Sequence, residues 1–176
     1  MTPIRLHRTE IGKAKGDIAM KAVIVCTSVS HGNTKKVADV IGQVLEARVI
    51  EPGQVEAAEL STYDLVGFGS GIFLGSFHAE LRELILSLPE GQPRKSFVFA
   101  TSGFPEARFQ RFSRPLVRML EQKGFEVVDA FSCRAFDTYA PFKLVGGIRK
   151  GRPNAADLEA ARTFAEGLRT RIGATS

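Results

Sequence analysis

From Lys21 onward the apolar and polar positions of the chain alternate between two periods. Ala22-Val23-Ile24-Val25-Cys26 is an unbroken, largely β-branched apolar run, the pattern of a strand buried on both faces. Between Lys35 and Ala47, the residues Val37, Val40, Ile41, Val44 and Leu45 recur at helical spacing. Arg48-Val49-Ile50 reads as a short second strand and Asp64-Leu65-Val66-Gly67-Phe68 as a third, after which Leu81, Leu84, Ile85 and Leu88 mark a helix face. Ser96-Phe97-Val98-Phe99-Ala100 is a fourth strand. A helix through Phe112, Leu116 and Leu120 follows it, and Gly124 stands where a left-handed residue should end that helix. Glu126 to Phe131 gives a fifth strand. A last helix starts near Ala155, with Asn154 as its N-cap and Leu158, Ala161, Ala165, Leu168 and Ile172 on one side.

Five strands alternating with helices predict an α/β fold, a doubly wound five-stranded parallel sheet with helices on both faces. Right-handed crossovers leave only a few topologies for it. The 176 residues suffice for one domain. Its expected span is 20–176, because residues 1–19 scatter Arg5, Arg8, Lys13 and Lys15 among glycines without a period and read as a loosely ordered extension. The stretch from Arg134 to Pro153 has no period either, and loops of that length in compact domains are commonly functional.

In such a sheet, ligands bind at the carboxyl ends of the strands, where the strand order reverses. The loop after the first strand reads Thr27-Ser28-Val29-Ser30-His31-Gly32-Asn33-Thr34. It leads into a helix N-terminus, whose unpaired N–H groups and partial positive charge suit a phosphate. Ser28, Ser30, Asn33 and Thr34 add donors, and Gly32 permits close approach; the same residues would also serve as plain caps. A Walker A lysine and a G-x-G-x-x-G fingerprint are both missing, which excludes an ATPase loop and a dinucleotide loop. The next loop, Gly69 to His78, combines Ser70, Gly71 and Gly75 with Ile72, Phe73, Leu74 and Phe77. Those apolar side chains would cover a flat aromatic ligand or fold back onto the core, the latter favoured for Phe77. Thr101-Ser102-Gly103-Phe104-Pro105 repeats the recipe of small polar residues, glycine and one aromatic. A phosphate site beside two glycine–aromatic loops describes a mononucleotide with a large planar head.

Composition narrows the setting. No apolar run approaches the roughly 20 residues of a membrane span, and no secretory pattern opens the chain. Cys26 and Cys133 are far apart and read as two reduced thiols of a cytoplasmic protein. The net charge of +5 attracts anions, but without zinc-finger spacing or an RNP-like strand no nucleic acid is expected. His31 and His78 lack a third ligand at sensible spacing, so capping or surface roles are expected and no metal is assigned. Arg108, Arg111, Arg114 and Arg118 recur along one helix as a solvated face or as a dock for an acidic partner. A receiver module would need aspartates where Thr27-Ser28 and Gly69-Ser70 stand.

At these residues the chain resembles the flavodoxins. Ser30-His31-Gly32-Asn33-Thr34 resembles their phosphate loop, and Tyr63 through Phe73 resembles the third strand with its flavin-flanking loop. Phe136-Asp137-Thr138-Tyr139, Pro141-Phe142, Gly146-Gly147 and Lys150-Gly151-Arg152-Pro153 are similar to a prokaryotic subgroup of that family. The resemblance implies FMN held by Ser28, Ser30, His31, Gly32, Asn33, Thr34, Ser70, Gly71, Ile72, Phe73, Thr101, Ser102, Gly103 and Phe104. Phe73 and Phe104 would flank the ring, with Tyr139 a further cover, and Gly71 would offer its carbonyl to the flavin. It also implies electron transfer with a redox partner protein and names no catalytic acid or base. The alternatives are an NAD(P)H-dependent reductase of quinones or small acceptors, and a flavin-free regulatory domain. Val29 and His31 depart from the usual loop, and the basic charge departs from the acidic electron carriers.

Overall fold

A computed structural model of the chain describes residues 20–29, 32–91, 94–103, 109–134 and 151–173. The expectations on residues 1–19, Ser30, His31, Phe104, Arg108 and Tyr139 therefore lie outside the described residues. Strand β1 (Ala22–Thr27) is buried along its whole length, as an apolar run without alternation requires. Helix α1 (Asn33–Leu45) returns antiparallel to it and buries Val37, Ile41 and Leu45, leaving Val40 and Val44 half-covered at the margin. Strand β2 (Arg48–Ile50) pairs with one side of β1, and β3 (Leu65–Phe73) with the other. Between β2 and β3 the chain makes two short 3-10 turns, Pro52–Gln54 and Glu59–Thr62, in place of a full crossover helix.

β3 extends five residues beyond the expected third strand, to Phe73, and turns back through β4 (Ser76–Phe77), which pairs antiparallel with it. Helix α2 (Ala79–Ser87), β5 (Arg94–Ser102), α3 (Phe109–Gln122), β6 (Phe125–Arg134) and α4 (Ala155–Gly173) complete the described elements. The parallel strands run in the order β2-β1-β3-β5-β6. The order reverses between β1 and β3, so the carboxyl ends of those two strands mark the expected ligand site.

Strand alternation divides the core in two. Val23, Val25, Val66, Phe68, Val98 and Ala100 face Leu81 and Ile85 of α2 and Leu116 and Leu120 of α3. Ile24, Cys26, Leu65, Phe97 and Phe99 face α1 and the Ala161, Ala165 and Leu168 stripe of α4. On this second face Gly67 pairs in register with Phe97, and Gly69 with Phe99. A methyl on Gly67 would come within 2.3 Å of the Phe97 ring, and one on Gly69 within 2.1 Å of the Phe99 ring. Two glycines thus hold the space that two phenylalanine rings fill, which is how a close-packed interior admits such large side chains over a flat sheet.

Two termini follow their sequence signals. Gly124 adopts φ +89 just after α3, and its N–H reaches the Glu121 carbonyl at 2.9 Å. Asn154 caps α4: its Oδ1 accepts from the Asp157 N–H at 3.0 Å while Asp157 accepts from the Asn154 N–H at 2.9 Å. Arg152 closes that box with a 2.7 Å bond to Asp157. In β6 the pairing with β5 skips Val128, since Ser96 faces Val127 but Phe97 faces Asp129, a bulge in the outer strand.

Candidate functional site

The site is assembled around Thr34, in the first turn of α1. Its hydroxyl lies 2.7 Å from the Thr101 hydroxyl at the end of β5, a buried bond linking elements 67 residues apart. A methyl on Gly71 would stand 3.8 Å from the Thr34 oxygen and 3.1 Å from the Phe73 ring, so Gly71 leaves a small cradle between them. Gly71 and Thr101 are register partners, as are Thr27 and Ser70. The first, third and fourth long strands of the parallel sheet therefore bring their loop residues to one edge, as the sequence predicts.

The N-terminus of α1 opens onto this edge. Its cap is Gly32 at φ +64, which has no side chain to offer the helix. The expectation that serines cap this helix is met in one place: Ser28 reaches across the loop to accept from the Lys35 N–H at 3.3 Å. The Lys35 ammonium turns outward to Asp39 at 2.8 Å, and that carboxylate raises its pKa. Asn33 and Thr34 are buried at 5% and 3% exposure, placing two polar side chains in the helix's first turn.

Ser70 is fully buried and engaged on both sides. It donates to the Gly71 carbonyl at 2.8 Å and accepts from the His78 N–H at 3.0 Å, so it fixes the mouth of β3 to the start of α2. Ile72 places its side chain in the core with Phe77, leaving its backbone as the part facing the edge. Phe73 stays at the mouth and meets the His78 ring edge-on at 5.9 Å. Thr101 is buried and Ser102 half-buried, with Gly103 next to them at the end of β5.

Several expectations need correction. Gly69 to Phe73 is strand, and Leu74-Gly75 is a two-residue hairpin turn with φ +50 and +75. Leu74 sits at the tip, 81% exposed. A leucine in that backbone region costs about 1–2 kcal/mol, which is why asparagine and glycine usually hold such turns. His78 occupies the cap position of α2 without a side-chain cap bond, and its Nδ1 is buried 3.8 Å from Glu80, too far for a hydrogen bond.

Thr27 is the residue the sequence reading left out of the site. Its hydroxyl is buried at the carboxyl end of β1 without a hydrogen-bond partner among the described residues. Its position as last residue of the strand at the order reversal was the available signal. Thr27 and Ser28 also line a cleft of about 680 Å³ between the Pro52 turn and α2. Glu51, Glu80 and Glu83 line that cleft too, and their charge disfavours a phosphate there.

Both cysteines are buried thiols, and burial pushes the Cys26 thiol up to about 12, far from a reactive thiolate. Among the described residues no cluster of His, Cys, Asp and Glu could hold a metal, and no helix is long and apolar enough to cross a membrane.

A glycine-cradled mouth, two buried threonines and an open helix N-terminus at the order reversal of a parallel sheet are now placed. Comparison with known proteins agrees with this plan: residues 24–133 match the flavodoxin domain. The chain belongs to the flavodoxin domain family. An uncharacterized protein of Methanocaldococcus jannaschii is 37% identical over 149 residues, covering 85% of this chain and 98% of that one. Oxidised Flavodoxin 2 from Bacillus cereus superposes with a TM-score of 0.67 at 22% identity, covering 86% of this chain and 99% of that one. A flavodoxin from the domain Archaea gives 0.62 at 20% identity over 87% and 99% of the two chains. Rubredoxin oxygen:oxidoreductase of Desulfovibrio gigas gives 0.64 at 17% identity, the likeness covering 88% of this chain and 36% of that larger one. These structural likenesses establish the fold.

Proposed function

We propose that this flavodoxin domain binds FMN at the joined ends of β1, β3 and β5 and passes electrons to a redox partner protein. The observation that carries this reading is the convergence on Thr34, which meets Thr101 at 2.7 Å and borders the Gly71 cradle. The donor set suits the group. The α1 N-terminus and the hydroxyls of Ser28 and Thr34 suit a phosphate, with Ser30, His31, Gly32 and Asn33 completing the loop. Gly71, the Ile72 backbone and Phe73 suit one side of a planar ring, and Thr101, Ser102, Gly103 and Phe104 its polar edge. Bound there, FMN would supply the electron-transfer chemistry.

The chain's own residues then hold and orient. Ser70 holds the Gly71 carbonyl and so fixes the β3 peptide that borders the ring's place. Phe73 and His78 border that place as an edge-to-face pair. A reducing cytoplasmic setting fits the two buried thiols.

Titration of the purified full chain with FMN, followed by flavin fluorescence quenching and then stepwise dithionite reduction, tests the reading. Stoichiometric quenching with slow bleaching by NADPH alone is the expected result. Rapid bleaching by NADPH alone would move the assignment to a reductase of quinones or small acceptors. Absence of binding with supplied FMN would refute the cofactor assignment.

A further inference from the structure

Alternation along β1 sends Val23 and Val25 to the α2 side of the sheet, and Thr27, two residues on, follows them. Thr27 is 5% exposed, and its hydroxyl has no hydrogen-bond partner among the described residues. The residue lines the cleft of about 680 Å³ between the Pro52 turn and α2. A buried hydroxyl left unpaired disfavours the fold, so one set against an open cleft calls for a group that the cleft receives.

Carboxylates stand on both sides of that cleft. Glu80, Glu83, Leu84 and Ser87 line it at the spacing of one helix face, so α2 turns a single stripe toward it. Glu51 comes from the other side, its carboxylate held in the turn by the Gln54 N–H. Asp39, Asp129, Asp157 and Glu159 are each paired with a lysine or arginine. Glu51 and Glu83 have no such partner among the described residues, and Glu80 has only the His78 ring at 3.8 Å. No lysine, arginine or histidine among the described residues lines the cleft. A chain of net charge +5 thus gathers three carboxylates around one concavity.

We propose that this cleft binds a small aliphatic diamine, with Glu51 and the Glu80–Glu83 pair taking its two ammonium ends and Thr27 accepting a hydrogen bond from one of them. An ammonium group carries donors only, which matches a cleft whose charged groups are all acceptors. The carboxylates repel an anion. A divalent metal fits less well, since no cluster of His, Cys, Asp and Glu among the described residues could hold one. Pro52, Leu84 and Val29, the last 62% exposed, offer the methylene chain an apolar wall. The volume lies within the usual range for small-molecule sites. Ser28 adjoins both this cleft and the proposed phosphate place, but the diamine site does not depend on FMN.

Isothermal titration of the full chain with 1,4-diaminobutane at low salt, without added FMN, tests the site. One-to-one saturation that weakens as sodium chloride rises is expected, with no saturable binding of butane-1,4-diol, the neutral analogue. Glu80→Gln combined with Glu83→Gln should weaken diamine binding about tenfold. The equal-charge control, Glu121→Gln with Glu166→Gln, should cost less than about twofold. Thr27→Val keeps the shape and removes the unpaired hydroxyl. It should raise the melting temperature of the ligand-free chain while weakening the diamine about threefold or more, a split that a purely structural threonine would not give.

Absence of saturable diamine binding would overturn the site, as would equal losses in the two glutamate pairs or unchanged affinity in Thr27→Val. Butane-1,4-diol bound as tightly as the diamine would overturn the cation assignment. Magnesium chloride displacing the diamine at equal concentration would replace it with a metal site. Glu80, Glu83, Glu121 and Glu166 are all exposed, so their variants keep the test decisive should Thr27→Val fail to fold. FMN titration of the Glu80–Glu83 variant should match the parent.

Discussion

Gly67 and Gly69 lie in the same strand as Gly71, and the two stretches use glycine for opposite ends. In the lower stretch the missing side chains are replaced by the Phe97 and Phe99 rings, leaving no room for a methyl. At Gly71 the nearest obstacle is the far edge of the Phe73 ring, at 3.1 Å, and the space opens toward Thr34. One region is filled core and the other is a strand end with room for a methyl. A glycine-rich strand is thus no evidence of a ligand by itself; what decides is whether a large neighbour already occupies the space.

The largest expected effect breaks the lower region. Gly69→Ala should destabilise the fold by about 3 kcal/mol in urea unfolding, the upper part of the usual range for overpacking a core. Adding Phe99→Leu should restore part of that loss, a non-additive recovery expected of residues in contact. Thr34→Ala acts at the mouth. It removes the Thr101 partner, which should cost about 1–2 kcal/mol of stability. The same change should weaken FMN binding about tenfold by fluorescence titration, while the circular dichroism spectrum stays native. Unchanged FMN affinity would place the phosphate elsewhere on the edge.

Gly71→Ala sharpens the contrast, because it is the Gly69 substitution moved two residues along the strand. Phe73 can swing away from the added methyl, so stability should change by less than about 1 kcal/mol. FMN affinity should fall all the same, and a loss of stability matching that of Gly69→Ala would erase the distinction between the regions.

An effect invisible at neutral pH concerns Cys26, the register partner of Gly69. Its thiol titrates near 9.0 when exposed and near about 12 when buried in the fold. Between those values the unfolded chain releases a proton that the native chain keeps. Stability from this group is therefore full below pH 9 and declines as pH rises through that window. Urea midpoints at pH 8 and pH 10.5 should differ less in Cys26→Ala than in the parent.

The strands and helix faces were legible because their period is local. Val37, Ile41 and Leu45, the Ala161 to Ile172 stripe, Gly124 and the Asn154 cap all lie where the sequence predicts. Three features were not legible. Gly69 to Phe73 reads as loop, since glycine disfavours strands unless a neighbour supplies the missing bulk, and Phe99 lies 30 residues away. The hairpin at Leu74-Gly75 lacks the Asn-Gly signature of its turn. The Thr34–Thr101 bond depends on strand order, which no local pattern contains. Of the mouth, the first loop and the end of β5 were therefore identified as sequence segments, whereas their meeting required the fold.

The bulge at Val128 has a consequence for how copies of this domain behave in a crowded solution. Among the described residues β6 is the outer strand on its side of the sheet, and a long outer strand is a template for a foreign one. A regular strand laid along β6 would follow the spacing on one side of Val128 and lose it on the other. Asp129, next to the bulge and paired with Arg171, sets a charge at the break. Edge-to-edge growth is thereby interrupted within a single strand, at the cost of one residue that faces no partner in β5.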